Sequence, residues 1–169
     1  LVCKGDDLQF EDKNIPGIWR KVGDEIIPSE RAPLLDQPDL LPSVAWDLMP
    51  PSQYRAHHWH CFHALDQRTP YASIYTNLGC PYPCTFCNVN VVAGEPNFRP
   101  RTPESVLGEI EYLVNEHKVR NIRILDNVFT IRLDLVEELC DRIIDKGFDL
   151  NMWCYARVET IRNREILVK

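Results

Sequence analysis

The sequence predicts an α/β fold on a parallel sheet, preceded by a proline-rich connector. Two observations carry that expectation. Beyond about residue 70, three strand-like stretches alternate with two helix-like stretches over short links, the order that gives a right-handed parallel α/β layer. Before that point the chain is dominated by proline. All thirteen prolines lie between Pro16 and Pro103, and a residue with fixed φ and no backbone donor makes poor helices and only edge strands. The expected division is residues 1–69 for the connector and 70–169 for the layer.

Taken in order, the elements have local causes. Gly17–Val22 and Glu25–Ile27 flank Gly23-Asp24, a pair that tolerates a tight turn, so one hairpin is expected near the start. Arg31–Pro38 and Asp47–Pro51 read as extended chain. Tyr71–Thr76, rich in aromatic and β-branched residues, is the first strand of the layer. A helix is expected from Thr102, which can cap, with Pro103 in the first helical position and Glu104 facing the positive end of the dipole. Val106, Leu107, Ile110, Leu113 and Val114 keep helical spacing on one face. Asn121–Asp126 is the second strand. Leu135, Val136, Leu139, Cys140, Ile143 and Ile144 form the stripe of a second helix, which Gly147 ends. Leu150–Ala156 is the third strand, and a third helix is expected from Asn163.

Composition narrows the function. The 169 residues are 44% hydrophobic and 26% charged, with a net charge of −6, enough for one core of domain size. No run of about 18 apolar residues offers a membrane span, and no basic segment followed by an apolar run offers a signal peptide. The acidic balance argues against a general grip on nucleic acid. The chain opens at Leu1 and closes at Lys169 within an apolar pattern, so it reads as a fragment of a longer protein. Seven cysteines are an odd number, which does not suit a disulfide framework. Three of them crowd into one loop, which points to metal in a reducing compartment.

In parallel α/β layers, ligands bind at the carboxyl ends of strands. Residues 79–101, Asp126 with Asn127, and Arg157 with Glu159 occupy those ends. The first loop reads Gly79-Cys80-Pro-Tyr-Pro-Cys84-Thr-Phe-Cys87-Asn88. Thiolates are strong ligands for zinc and for iron–sulfur clusters, and Pro81 and Pro83 stiffen the turn, so less freedom is lost on binding. Three ligands leave one coordination position open, as a site that acts on a small molecule requires. Structural zinc completed by a distant histidine is the alternative on these residues alone.

The C-x3-C-x2-C spacing of Cys80, Cys84 and Cys87, with Phe86 before the last, resembles the radical SAM superfamily. That resemblance implies a [4Fe-4S] cluster held by the three cysteines at the end of the first strand of a partial (βα)6 barrel, of which this chain would be the N-terminal half. It implies that S-adenosylmethionine (SAM) binds the unique iron and is cleaved reductively to methionine and a 5′-deoxyadenosyl radical, which abstracts hydrogen from substrate. Phe86 would then lie against the adenine. Ile15–Ile18, Ala45–Pro50, Tyr71–Thr76 with Gly79-Cys80, and Asp126–Thr130 are similar to the cobalamin-binding subclass, in which a proline-rich connector joins a cobalamin domain to the barrel. The chain contains no Asp-x-His-x-x-Gly segment, so the resemblance puts any cobalamin domain upstream of Leu1. Where many members of the subclass read Asp-Asp, this chain reads Asp126-Asn127.

The same resemblance puts Asp126 near the methionine or ribose end of SAM or toward substrate. A loop-structuring carboxylate is the equal alternative. Arg157 is a further cofactor-binding candidate, with a salt bridge to Glu159 or Asp126 as its structural alternative. Asn88 could donate to the cluster or to SAM. His57–His63 holds four histidines in a spacing that fits interdomain packing better than a metal. Cys140 and Cys154 read as buried small hydrophobes.

The function expected from the resemblance is therefore that of a fragment of a radical SAM enzyme, with cobalamin-dependent methylation or cyclisation of a small-molecule substrate as the outcome, in a reducing cytoplasm and with a flavodoxin or ferredoxin as electron donor. No catalytic residue is readable. The rival readings are a zinc or iron–sulfur interaction module without catalysis, and a radical SAM methylthiotransferase, whose basic tail and extra cysteine-bearing domain are not seen in the sequence.

Overall fold

The computed structural model describes residues 15–61, 65–93 and 95–161. The chain divides into two compact units at Leu35/Asp36. In the first, β1 (Arg20–Val22) and β2 (Glu25–Ile27) form the expected antiparallel hairpin, with Val22 opposite Glu25. Gly23 takes a positive φ of 62° in the turn between them.

The second unit carries a three-stranded parallel sheet of β3 (Tyr71–Ile74), β6 (Asn121–Ile124) and β7 (Asn151–Trp153), with β6 in the centre. Between β3 and β6 run a small antiparallel clip of β4 (Asn77–Leu78) and β5 (Arg99–Pro100), the short helix α1 (Val89–Ala93), and α2 (Pro103–His117). Helix α3 (Leu133–Asp145) links β6 to β7. This is the mixed α/β layer with a parallel sheet that the strand–helix alternation predicts. The helix expected from Asn163 lies outside the described residues, as do Cys3 and His63.

Alternation along the strands sorts the two faces of the sheet. Ala72, Ile74, Ile122 and Ile124 point to the helices and join Val106, Leu107, Ile110, Leu113, Leu139 and Ile143 in one core. Each large side chain fully buried there contributes about 1.5–3 kcal/mol. The other face bears Tyr71, Ser73, Arg123 and Trp153. There Arg123 lies 5.0 Å from the Trp153 ring centroid and 5.5 Å from that of Tyr155.

The helix ends follow their sequence signals. Thr102 Oγ1 accepts from the Ser105 N–H, so Thr102 caps α2 as expected. Gly147 has φ of 66°. Its N–H donates to Ile144 O while that of Phe148 reaches Ile143 O, which closes α3 with paired capping bonds. The expected stripe of α3 is narrower than drawn. Val136, Leu139 and Ile143 are buried, Leu135 and Cys140 are half-buried, and Ile144 is 55% exposed.

The described residues of 36–69 form only single 3-10 turns, in keeping with their prolines, yet they bond to the layer. The Asp39 carboxylate accepts from the Thr102 N–H at 2.9 Å, Trp46 Nε1 donates to Glu109 at 3.2 Å, and Asn121 Nδ2 donates to Gln67 O at 2.6 Å.

Candidate metal and cofactor site

The three clustered cysteines lie on the loop that follows β3, at the carboxyl end of the sheet. The β4–β5 clip closes the base of this loop by pairing Asn77 with Pro100 and Leu78 with Arg99. Inside it, the Asn97 N–H donates to Cys80 O and the Cys87 N–H to Cys84 O, both at 3.1 Å. Asn90 Nδ2 holds Tyr82 O at 2.7 Å. Gly79 permits the entry: its φ is 90°, and a Cβ there would sit 2.0 Å from Asn97 Oδ1. Cys80 is buried, while Cys84 and Cys87 are half-exposed, and no described cysteine forms a disulfide.

Two polar knots anchor that base. Asp126, at the end of β6, is 1% exposed. Its Oδ1 accepts from the backbone N–H groups of Thr76 at 2.8 Å and Asn77 at 3.2 Å. Its Oδ2 accepts from Asn77 Nδ2 at 2.5 Å and from the Thr76 hydroxyl. Burial, the largest influence, pushes this carboxyl above its ordinary value, and the four donors pull it back. Arg101 forms the second knot. Its N–H donates to Thr76 O at 2.8 Å, and its guanidinium reaches Tyr75 O at 2.9 Å, Ser105 O at 3.1 Å and the Glu109 carboxylate at 2.5 Å.

Of the other expected site residues, Arg157 reaches the cysteine loop from beyond β7. Its Nη1 stands 3.9 Å from Cys84 Sγ, its guanidinium covers the Tyr82 ring at 4.1 Å, and Nη2 pairs with Glu159 at 3.0 Å. Phe86 is 92% exposed between Cys84 and Cys87, and Asn88 is exposed where α1 begins. Asp126 lies at the end of β6 with both oxygens engaged by Thr76 and Asn77, contacts that structure the start of the loop. Tyr82 and Asn77 were not legible as site residues, because their roles depend on partners 75 and 49 positions away.

The histidine segment takes a different place. The His60 ring lies 4.4 Å from that of Trp153 and 6.4 Å from that of Tyr71, and Asn151 Nδ2 donates to His60 O. These contacts set it against the sheet rather than the cysteine loop. Among the described residues no three His, Cys, Asp or Glu side chains converge closely enough to hold a single metal ion. A lone zinc at about 2.3 Å from each sulfur needs tightly converging thiolates. A cluster that offers each cysteine its own iron accepts a wider spread, and an all-thiol donor set beside a guanidinium suits it chemically.

A parallel α/β layer with a thiol-bearing loop at the carboxyl end of its first strand puts candidate metal ligands where such layers bind their ligands. The radical SAM superfamily profile matches residues 74–165, more than half of the sequence. The chain belongs to the radical SAM superfamily. Membership implies a [4Fe-4S] cluster and SAM.

Among curated proteins, the chain is 27% identical over 163 residues to an uncharacterized methyltransferase of Pyrococcus horikoshii, covering 96% of this chain and 32% of that protein. It is 27% identical over 168 residues to the anaerobic magnesium-protoporphyrin IX monomethyl ester cyclase of Cereibacter sphaeroides, covering 98% and 26%. It is 30% identical over 99 residues to the hopanoid C-2 methylase of Rhodopseudomonas palustris, covering 56% and 19%. The chain thus spans a third or less of the length of these relatives. No helix among the described residues is long and apolar enough to cross a membrane.

Proposed function

We propose that this chain is the cluster-bearing portion of a radical SAM enzyme, the N-terminal half of a partial (βα)6 barrel over residues 70–169 with its connector over 1–69. Cys80, Cys84 and Cys87 would hold the [4Fe-4S] cluster. When bound, the cluster supplies the electron that cleaves the sulfonium of SAM and so generates the radical that abstracts hydrogen. The observation that carries the reading is the cysteine loop itself, closed by β4 and β5 and tied to the neighbouring strand through Asp126.

The residues of this chain would divide the remaining work. Asp126 and Arg101 fix the loop's base, from which the three thiols would be presented to the cofactor. Phe86, exposed in the loop, would offer an aromatic face to the adenine of SAM, and Asn88 would offer a side-chain amide. The sheet face with Tyr71, Ser73, Arg123 and Trp153, which His60 partly covers, together with Tyr155, offers a polar and aromatic wall for a small-molecule substrate. Relatives named methyltransferase, methylase and cyclase support methylation or ring formation as the outcome. On the resemblance of the connector blocks, the parent would depend on cobalamin and would draw electrons from a low-potential flavodoxin or ferredoxin in a reducing cytoplasm.

The test is anaerobic reconstitution with iron and sulfide, followed by EPR of the dithionite-reduced chain with and without SAM. A [4Fe-4S]+ signal that shifts on adding SAM and disappears in Cys84→Ala is the expected result. Tight zinc uptake without a stable cluster would overturn the reading in favour of a structural metal module. A cluster signal indifferent to SAM would overturn SAM binding by this chain.

A further inference from the structure

Arg157 and Cys84 lie 73 positions apart in sequence, yet Nη1 of the one approaches Sγ of the other at 3.9 Å. The guanidinium is held on several sides. Its Cζ lies 4.1 Å from the ring centroid of Tyr82, whose carbonyl is held by Asn90, and Nη2 pairs with Glu159. The backbone is clamped as well. Thr160 Oγ1 donates to Arg157 O at 2.8 Å and accepts from the Arg157 N–H at 3.2 Å. The Thr160 hydroxyl in turn bonds that of the buried Thr130 at 2.5 Å, on the turn after β6. Arg157 Nε is buried without a hydrogen-bond partner among the described residues. Several contacts thus hold a long cationic side chain beside one sulfur of the loop.

We propose that Arg157 is a positioning residue for the cluster, donating to the Cys84 thiolate and raising the reduction potential, with Glu159 partly offsetting its charge. The inference rests on the cysteine loop holding a [4Fe-4S] cluster, as read above. A donor aimed at a thiolate forms a charge-assisted bond, stronger than the same contact to a neutral thiol. Reduction adds negative charge to a cluster already bearing anionic ligands, so a fixed cation stabilises the reduced form more than the oxidised one. Hydrogen bonds to ligand sulfurs and nearby net charge are among the factors that set cluster potentials. Arg157 would supply both from one side chain.

The experiment is an EPR-monitored redox titration of the reconstituted 169-residue chain and of Arg157→Gln, Arg157→Lys and Glu159→Gln, with iron content and urea midpoint measured alongside. Arg157→Gln should disfavour reduction by about tenfold, a midpoint roughly 59 mV more negative for one electron. Arg157→Lys should shift it less, because charge is kept while the planar fork is lost. Glu159→Gln should shift it the opposite way, and it keeps the test open if Arg157→Gln fails to fold. Midpoints equal to wild type in both Arg157→Gln and Glu159→Gln, at full iron content, would overturn the proposal. If the wild-type chain takes up no cluster, the cluster reading fails and this proposal falls with it. A cluster present at an unmoved potential removes the proposal alone.

Discussion

Asp126 at the end of β6 accepts the backbone N–H of Thr76 at 2.8 Å, and through that bond it fixes where β3 stops and the cysteine loop begins. Four donors from two residues converge on one buried carboxylate. Removing it leaves the backbone N–H groups and the Asn77 amide without their acceptor, and each such loss costs about 1–3 kcal/mol. Asp126→Ala is therefore expected to lose at least ~3 kcal/mol of stability in urea unfolding and to release iron to a chelator faster than wild type. Asp126→Asn should be nearly as damaging. It turns one acceptor into a donor that faces the Thr76 hydroxyl or the Asn77 amide.

The same carboxylate gives a pH dependence with a definite sign. Burial raises the Asp126 pKa in the folded chain above its ordinary 3.8, against the pull of its donors. A group whose folded pKa is raised contributes its full stability below the unfolded value and loses that contribution as pH rises through the folded one. The stability difference between wild type and Asp126→Asn should accordingly shrink from about pH 3.8 upward and then level off. Urea midpoints across the acid range measure it. A difference that grows with pH would show that the four donors outweigh desolvation.

Two glycines with similar backbone angles separate conformation from crowding. Gly147 has φ of 66° and open space where a Cβ would stand, so Gly147→Ala should cost only the left-handed backbone, about 1–2 kcal/mol. Gly79 has φ of 90°, and its Cβ would meet Asn97 at 2.0 Å from Oδ1 and 2.8 Å from the backbone O. Overpacking adds roughly 1–3 kcal/mol to the conformational cost. Gly79→Ala should therefore be the more destabilising of the two in urea and, unlike Gly147→Ala, should impair cluster uptake measured by iron content.

These contrasts mark what could be read from sequence. The start of α2 was legible because Thr102, Pro103 and Glu104 act within one turn, and the end of α3 because Gly147 is a local signal. The cysteine loop was legible because its ligands are close in sequence. Strand ends were not. β3 was expected to reach Thr76 and ends at Ile74, since the backbone N–H of Thr76 goes to a carboxylate 50 positions away. The connector's bonds to Thr102, Glu109 and Asn121 escaped for the same reason, as did the approach of Arg157 to Cys84. Proline content forecasts the absence of strands and longer helices among the described residues of 36–69 but carries no information about distant partners.

Phe86 tests the cofactor side of the reading without touching the core. Its side chain is 92% exposed, so Phe86→Ala removes almost no buried surface, and its urea midpoint should match wild type to within about 0.5 kcal/mol. Stacking of an aromatic side chain on a nucleobase is worth about 1–3 kcal/mol. If Phe86 lies against the adenine of SAM, Phe86→Ala should weaken SAM binding by roughly fivefold or more, read as the SAM concentration needed to shift the EPR signal of the reduced cluster. Phe86→Trp should bind SAM about as well as wild type, because it keeps an aromatic face. Equal SAM affinity in Phe86→Ala and wild type would remove Phe86 from the cofactor site while leaving the three cysteines in place.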